Sequence, residues 1–218
     1  MNHKSEKKEE LLSDLIRRYP QLDEEKENIK NTFAVMAESF KNGGKLLVAG
    51  NGGSAADSEH IVGELMKGFV KKRPLDLQYQ KKLIAADPVL GENLAAKLQG
   101  ALPAVSLTGH PALATAYLND VDPVLGMAQQ VNSLGNKGDI FLAISTSGNS
   151  SNMIYAAVAA KAKGMIVAAL TGKDGGKLKK YADVVIKAKE TETYKIQELH
   201  LPIYHTLCLM LEEEFFES

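Results

Sequence analysis

Short apolar runs alternate with longer stretches of helical periodicity along this chain. Leu11, Leu12, Leu15 and Ile16 share one helical face and predict a helix over residues 9–19, stopped by Pro20. Ile29, Phe33, Met36 and Phe40 form the stripe of a second helix over 24–41, which Gly43 and Gly44 end. Residues 45–49, KLLVA, read as a short buried strand, followed by a tight turn at Asn51, Gly52, Gly53 and Ser54 and a helix over 55–67. Further strands at 104–107, 140–144, 165–170 and 184–186 alternate with helices at 123–131 and 152–163 and a short one opened by Gly175 and Gly176. A long helix over 196–216 closes the chain, with Pro202 placed to remove one hydrogen bond and kink it. This alternation predicts an α/β fold: a doubly wound parallel sheet covered by helices on both faces. Ligands of such sheets bind beyond the carboxyl ends of the strands, where both glycine- and serine-rich turns fall.

Residues 71–103 fit the pattern least well. They open with Lys71, Lys72 and Arg73 and contain a predicted helix over 88–98, capped by Asp87. The string DPVLG occurs at 87–91 and again at 122–126, and both copies read as a cap-plus-proline helix start. Two copies do not make a repeat architecture.

Composition narrows the function classes. With 218 residues, the chain is long enough for one sizeable α/β domain. A formal net charge of -1 provides no global basic field to attract nucleic acid, so a phosphorylated ligand must be held by local donors. The single Cys208 excludes an intrachain disulfide framework and suits a reducing cytoplasm. No stretch is apolar for long enough to span a bilayer. Residues 1–10 are polar and lysine-rich, unlike a signal peptide, and read as the frayed start of a helix.

Ser145, Thr146, Ser147, Gly148, Asn149 and Ser150 follow a strand and open a helix. Gly148 permits a positive φ and a close backbone approach, and a helix N-terminus adds free N–H groups. This turn suits a phosphate without any lysine, although serine caps alone produce a similar pattern. The turn at 51–54 lacks both the GxGxxG spacing of a dinucleotide site and the GK[ST] of a P-loop, so no nucleotide cofactor is expected. His60 and Glu64 lie one helical turn apart on one face, a spacing that suits a shared metal or a proton-handling pair. On spacing alone they read first as a solvated polar pair. Gln197, Glu198, His200 and His205 interrupt the otherwise apolar closing helix, and ionisable groups on a buried helix need partners or a function. Gln197 and His205 are about 12 Å apart along a straight helix, awkward for two ligands of one metal in one chain. His205 alone also fits a satisfied core histidine. His110, just past the strand at 104–107, reads equally as a pocket residue or a surface loop histidine.

Four motifs in order, GNGGS with His60 and Glu64, AISTSGNS, ALTGKDGGKL, and IQELH with His205, closely resemble the phosphoheptose isomerases. These are SIS-domain (sugar isomerase) proteins that convert sedoheptulose 7-phosphate into manno-heptose 7-phosphate, and the resemblance runs from about Asn31 to Phe216. It implies a SIS-type three-layer α/β/α sandwich with an N-terminal helical extension. It implies substrate contacts from Asn51, Gly52, Gly53, Ser54, Glu64, Asn119, Asp120 and Gln197, and phosphate contacts from Ser145, Thr146, Ser147 and Ser150. It further implies zinc held by His60, Glu64, Gln197 and His205, with Glu64 and His205 as the catalytic base and its proton-shuttling partner. The expected reaction is ketose–aldose isomerisation through an enediol. Some family relatives have lost the catalytic pair and bind a replication initiator, and others sense sugar phosphates and regulate partners; retention of Glu64 and His205 argues against a non-catalytic module here. A SIS isomerase acting on another sugar phosphate is the remaining alternative.

The chain departs from the family pattern in three places. Residues 76–102 are longer than the matching segment, Gly68 stands where an arginine is frequent, and Ala55 and Ala56 replace a His-Cys-like pair. These bear on the sugar more than on the reaction type. The helices at 24–41 and 196–216 carry too much apolar surface for full exposure and are expected to pack between subunits. The resemblance implies a homotetramer with pockets at subunit boundaries.

Overall fold

The computed structural model describes residues 3–217. Residues 1 and 2, within the expected frayed start, lie outside the described residues; helix α1 runs from the first described residue (His3–Arg18). Five strands form one parallel sheet: β1 (Leu46–Ala49), β2 (Ala104–Ser106), β3 (Ile140–Ser145), β4 (Ile166–Thr171) and β5 (Val184–Lys187). Their order is β2-β1-β3-β4-β5. The chain therefore winds outward from β1 to β2 and then returns to lay β3, β4 and β5 on the other side. The order reverses between β1 and β3, whose register pairs Ala49 with Ala143. At such a switch point the connections leave a crevice at the carboxyl ends of the strands.

Alternation along the strands builds a core on each face. Ile140, Leu142 and Ile144 of β3 join Leu46, Val48 and Leu170 on one side, beneath α1, α2 (Lys26–Lys41), α3 (Gly53–Met66) and α9 (Thr193–Phe215). Phe141 and Ala143 join Leu47, Val167 and Ala169 on the other, beneath α7 (Gly126–Leu134) and α8 (Ser151–Ala162). This is the expected three-layer α/β/α sandwich.

Several expectations need correction. The stripes of α2 and α9 do not wait for a second subunit: Ile29, Met36, Ile203, Leu207 and Leu211 are buried in the chain's own core. Pro20 does not simply end a helix but opens a 3-10 turn, Pro20–Glu25, which leads into α2. Residues 77–86 form an unforeseen helix, α4 (Leu77–Ala86), which pairs with α5 (Pro88–Lys97) as a hairpin closed at its base by a bridge between Pro74 and Gln99. Asp87 ends one helix and caps the next, accepting from the amides of Val89 and Leu90. The second DPVLG behaves differently. Leu125 N bonds Asp122 O in a turn, and the helix begins only at Gly126. In the first copy Gly91 N reaches Asp87 O instead, and Gly91 packs against the Leu83 backbone, where a Cβ would collide. The neighbour, not the pentapeptide, decides. Another helix, α6 (Pro111–Asp120), was also unforeseen; its Leu113 and Leu118 are exposed, so it carries little burial signal. Pro202 leaves α9 continuous.

Two buried polar contacts fix α9. His200 Nε2 lies 3.1 Å from Thr171 O at the end of β4. Arg73 Nε donates to Glu212 Oε1 at 2.8 Å, with both side chains inaccessible. No helix among the described residues is long and apolar enough to cross a membrane.

Burial drives the His200 pKa down to about 4, against the smaller opposing effect of its bond to Thr171. The folded protein thus holds His200 neutral while the unfolded chain protonates it near the ordinary imidazole value of 6.5. The unfolded state binds more protons between these values, so stability should fall as pH drops from about 6.5 towards 4. Urea unfolding across this range should show a shallower decline for His200→Gln; identical slopes would remove His200 from the acid response.

Candidate active site

The two turns leave adjacent strands at the switch point and touch each other. Gly52 takes φ 56° and caps α3, a conformation that suits glycine. Asn51, beside it, exchanges side-chain hydrogen bonds with Asn152 on the first turn of α8, at 3.0 and 2.8 Å. In the second turn Ser145 Oγ and Ser150 Oγ lie 3.1 Å apart, and Asn149 N donates to Ser147 Oγ at 3.1 Å. Ser147 is exposed and Thr146 is half-buried, so their hydroxyls remain available.

This second turn is braced by the loop after β4. Gly148 has φ 61°, and a Cβ there would strike Gly175 O; one on Gly176 would strike Ser147 O. Leu178 N bonds Gly148 O at 2.9 Å, Lys177 N bonds Asn149 Oδ1 at 3.0 Å, and Gly172 N bonds Thr146 O at 2.9 Å. The segment ALTGKDGGKL thus holds the serine-rich turn in shape.

A second group forms where α3 meets α9. His60 Nε2 is 3.2 Å from Glu64 Oε1 and 3.4 Å from His205 Nε2. Glu64 is nearly buried, and its other oxygen takes an ion pair from Lys67 at 3.0 Å. Burial, and then the neighbouring His60, lower the His205 pKa, with Glu64 partly opposing. The ring of Phe69 covers His205, with centroids 5.4 Å apart. Below them Tyr204 Oη lies 3.1 Å from both Asp57 Oδ1 and His60 Nδ1. Burial raises the Asp57 pKa. Burial, followed by the Asp57 charge, raises that of Tyr204. Burial pushes the Cys208 thiol, one turn further along α9, up to about 12, so it stays a thiol.

The predicted site residues fall into two groups, one at the paired turns and one where α3 meets α9. Glu64, His60 and His205 come together. Gln197 lies instead against the first turn, where its amide fills the space a Cβ on Gly53 would take. Ser54 is buried under that turn. Asn119 and Asp120 sit exposed at the end of α6, bonded to each other at 2.8 Å. The adjacent Leu118 lines a cavity of about 300 Å³ together with Asn51, Gly52, Met127 and Asn152, so the pair borders this space without lining it. His110 Nδ1 bonds Gln130 Oε1 at 2.8 Å, and Gln130 also lines the cavity. Among the described residues no group of three or more His, Cys, Asp and Glu is arranged to hold a metal ion. Two imidazole nitrogens and a carboxylate nevertheless form a donor set chemically suited to zinc. Asp57, Tyr204 and the Arg73–Glu212 pair were not anticipated. Asp57 carried one readable signal, its position three residues before His60 on the same helix face.

The doubly wound sheet, the paired turns and the helix-borne Glu64 and His205 define a sugar-phosphate-binding type of α/β domain. The SIS domain family model matches residues 12–82 and 88–172, and the chain belongs to this family. It is 39% identical over 181 residues to the phosphoheptose isomerase of Aneurinibacillus thermoaerophilus, covering 83% of this chain and 78% of that one. It is 37% identical over 188 residues to phosphoheptose isomerase 2 of Campylobacter jejuni, covering 86% and 81% of the two chains. Among solved structures, a phosphoheptose isomerase from Francisella tularensis superposes with a TM-score of 0.73 at 29% identity, covering 97% of this chain and 98% of that chain. That from Neisseria gonorrhoeae gives 0.70 at 32%, covering 91% and 94%.

The interlocked glycines yield a direct prediction. Gly176→Ala sets a Cβ against Ser147 O at a positive φ, and such strain costs about 1–3 kcal/mol. The melting temperature should fall. An unchanged melting temperature would show that the two loops are not packed in this way.

Proposed function

We propose that this chain is a phosphoheptose isomerase, interconverting sedoheptulose 7-phosphate and D-glycero-D-manno-heptose 7-phosphate. The observation that carries the reading is the clustering of Glu64 and His205 around His60 where α3 meets α9, on the helix that leaves the first of the two turns at the switch point of the sheet. Its similarity to phosphoheptose isomerases over most of its length supports the same reaction.

In this reading Ser145, Thr146, Ser147 and Ser150 hold the phosphate through hydroxyls and backbone N–H groups at the start of α8. Asn51, Gly52, Gly53, Ser54 and Gln197 place the sugar chain, with Asn119 and Asp120 at the rim. The Glu64 carboxylate removes a proton from C1 of the ketose. The C1–H electron pair forms the C1=C2 bond, and the C2 carbonyl oxygen takes a proton to give the enediol. The O1 hydroxyl proton then leaves, the C1 aldehyde forms, and C2 regains a proton from the protonated Glu64. His205, kept neutral by partial burial, moves the proton between the O1 and O2 positions. Zinc, when bound, supplies Lewis-acid polarisation of the carbonyl oxygen. We propose His60, Glu64 and His205 as its ligands, with Gln197 joining if its side chain swings from Gly53.

The Glu64–His205 group opens towards the surface, with the His60 side chain 42% exposed. We propose that a neighbouring copy closes it, in the homotetramer with pockets at subunit boundaries that the resemblance to phosphoheptose isomerases implies. A reducing cytoplasmic setting agrees with the buried free thiol of Cys208.

Glu64→Gln keeps the shape and removes the base. Loss of a general base typically lowers the rate about 10²–10⁴-fold. Sedoheptulose 7-phosphate should still bind by calorimetry, since the serine-rich turn is a separate element. Turnover near the wild-type rate would eliminate Glu64 as the base.

A further inference from the structure

Tyr204 is almost fully buried, and its hydroxyl is the single polar group placed between Asp57 and His60. It lies 3.1 Å from Asp57 Oδ1 and 3.1 Å from His60 Nδ1. One phenolic proton must serve both contacts. If it pointed to His60 Nδ1, two bare oxygens would face each other at the Asp57 contact. The Asp57 carboxylate would then lack a side-chain donor altogether, because its buried Oδ2 has no hydrogen-bond partner among the described residues. A buried, unsatisfied carboxylate is costly. With Asp57 ionised, the arrangement that satisfies all three groups has Tyr204 donating to Asp57 and accepting from a protonated His60 Nδ1.

We propose that Tyr204 and Asp57 are positioning residues that hold neutral His60 in its Nδ1–H tautomer, turning an Nε2 lone pair toward Glu64 and His205. The imidazole nitrogen not engaged by an outer partner is the one that ligates or moves protons, and that partner selects it. The geometry agrees: His60 Nε2 is the atom nearest Glu64 Oε1, at 3.2 Å, and His205 Nε2, at 3.4 Å. The rings of His60 and Tyr204 meet edge-on, with centroids 5.5 Å apart and planes at 73°, which restricts rotation of the imidazole. Asp57, His60 and Glu64 follow one another at helical spacing on α3, so one face of the helix carries the whole chain of contacts from the half-buried carboxylate to the site. What the lone pair is used for rests on the proposed function; which nitrogen carries it does not.

The test reads the tautomer directly. Metal-free protein labelled with ¹⁵N in its histidine rings is examined by NMR above the titration range of imidazole, with His60 assigned by its absence in His60→Gln. The expected spectrum shows a protonated Nδ1 and a lone-pair Nε2 for His60. Tyr204→Phe should collapse this preference towards the mixture of a free imidazole, with the other histidine signals unchanged as a control on folding. Asp57→Asn should shift it the same way, and provides a second variant should the first fold poorly. A wild-type His60 protonated at Nε2, or nitrogen shifts unaltered in both variants, would overturn the proposal. Zinc competition against a chromophoric chelator gives an independent readout, since loss of an outer partner typically weakens metal binding about 10–100-fold. Zinc binding abolished in His60→Gln but unchanged in Tyr204→Phe would also overturn it. Protein that shows the Nδ1–H form yet converts no sugar phosphate supports this inference and defeats the proposed function, so the two readings fail separately.

Discussion

Arg73 and Glu212 bury an ion pair at the junction of α3, the segment that follows it and α9, and the position of the site depends on that junction. The Arg73 guanidinium donates to Glu212 and also to the carbonyls of Leu65 and Glu64, at 2.8 and 3.0 Å, in the last turn of α3. Glu212 accepts in addition from the amides of Phe69, Val70 and Lys71. Burial works against the Glu212 charge, but these amides and Arg73 outweigh it and hold the carboxyl below its usual pKa. Phe216 stacks on the guanidinium, 4.5 Å from its ring centre. A buried pair is tolerable only when its atoms are satisfied this completely, and losing one partner typically costs about 3–5 kcal/mol. Here the satisfied carbonyls belong to the turn that carries Glu64, and the acceptor belongs to the helix that carries His205. The pair therefore sets the register of one functional helix on the other.

The second constraint comes from the sheet. Because β1 and β3 are neighbours, the turns that follow them abut, and the Asn51–Asn152 bonds join them. A ligand with an anionic group at one end and a polar body can span both turns. The Gly148–Gly176 contact then explains why the loop after β4 carries a glycine pair although it donates no side chain to the turn.

Much of this was legible in the sequence, for identifiable reasons. The strands are short apolar runs bounded by glycine and serine, and residues 140–144, buried throughout, alternate between the two cores on either face of the sheet. The turns announce themselves by glycines that need positive φ. Helices α4 and α6 were missed because they bury little, so no apolar stripe marks them, Leu77 and Leu118 being largely exposed, whereas α5 was legible from its Asp87–Pro88 start. The apolar stripes of α2 and α9 did not themselves call for a second subunit, because a stripe shows that a helix face is buried, not in whose core, and these lie in the chain's own. Gln197 and His205 stand about 12 Å apart along α9, as their spacing indicates, so Gln197 meets Gly53 at the first turn while His205 meets the His60–Glu64 pair. The Arg73, Asp57 and Tyr204 contacts join residues more than 100 positions apart or hidden in apolar helices, and spacing carries no trace of them.

The claim on which the functional account rests is that proton transfer at C1 and C2 of a ketose phosphate takes place between α3 and α9. The most direct measurement is NMR of wild-type protein acting on sedoheptulose 7-phosphate in deuterated water. The account predicts formation of the aldose heptose 7-phosphate with deuterium entering at C2. Sedoheptulose 7-phosphate that remains unconverted and unlabelled at C1 would contradict it.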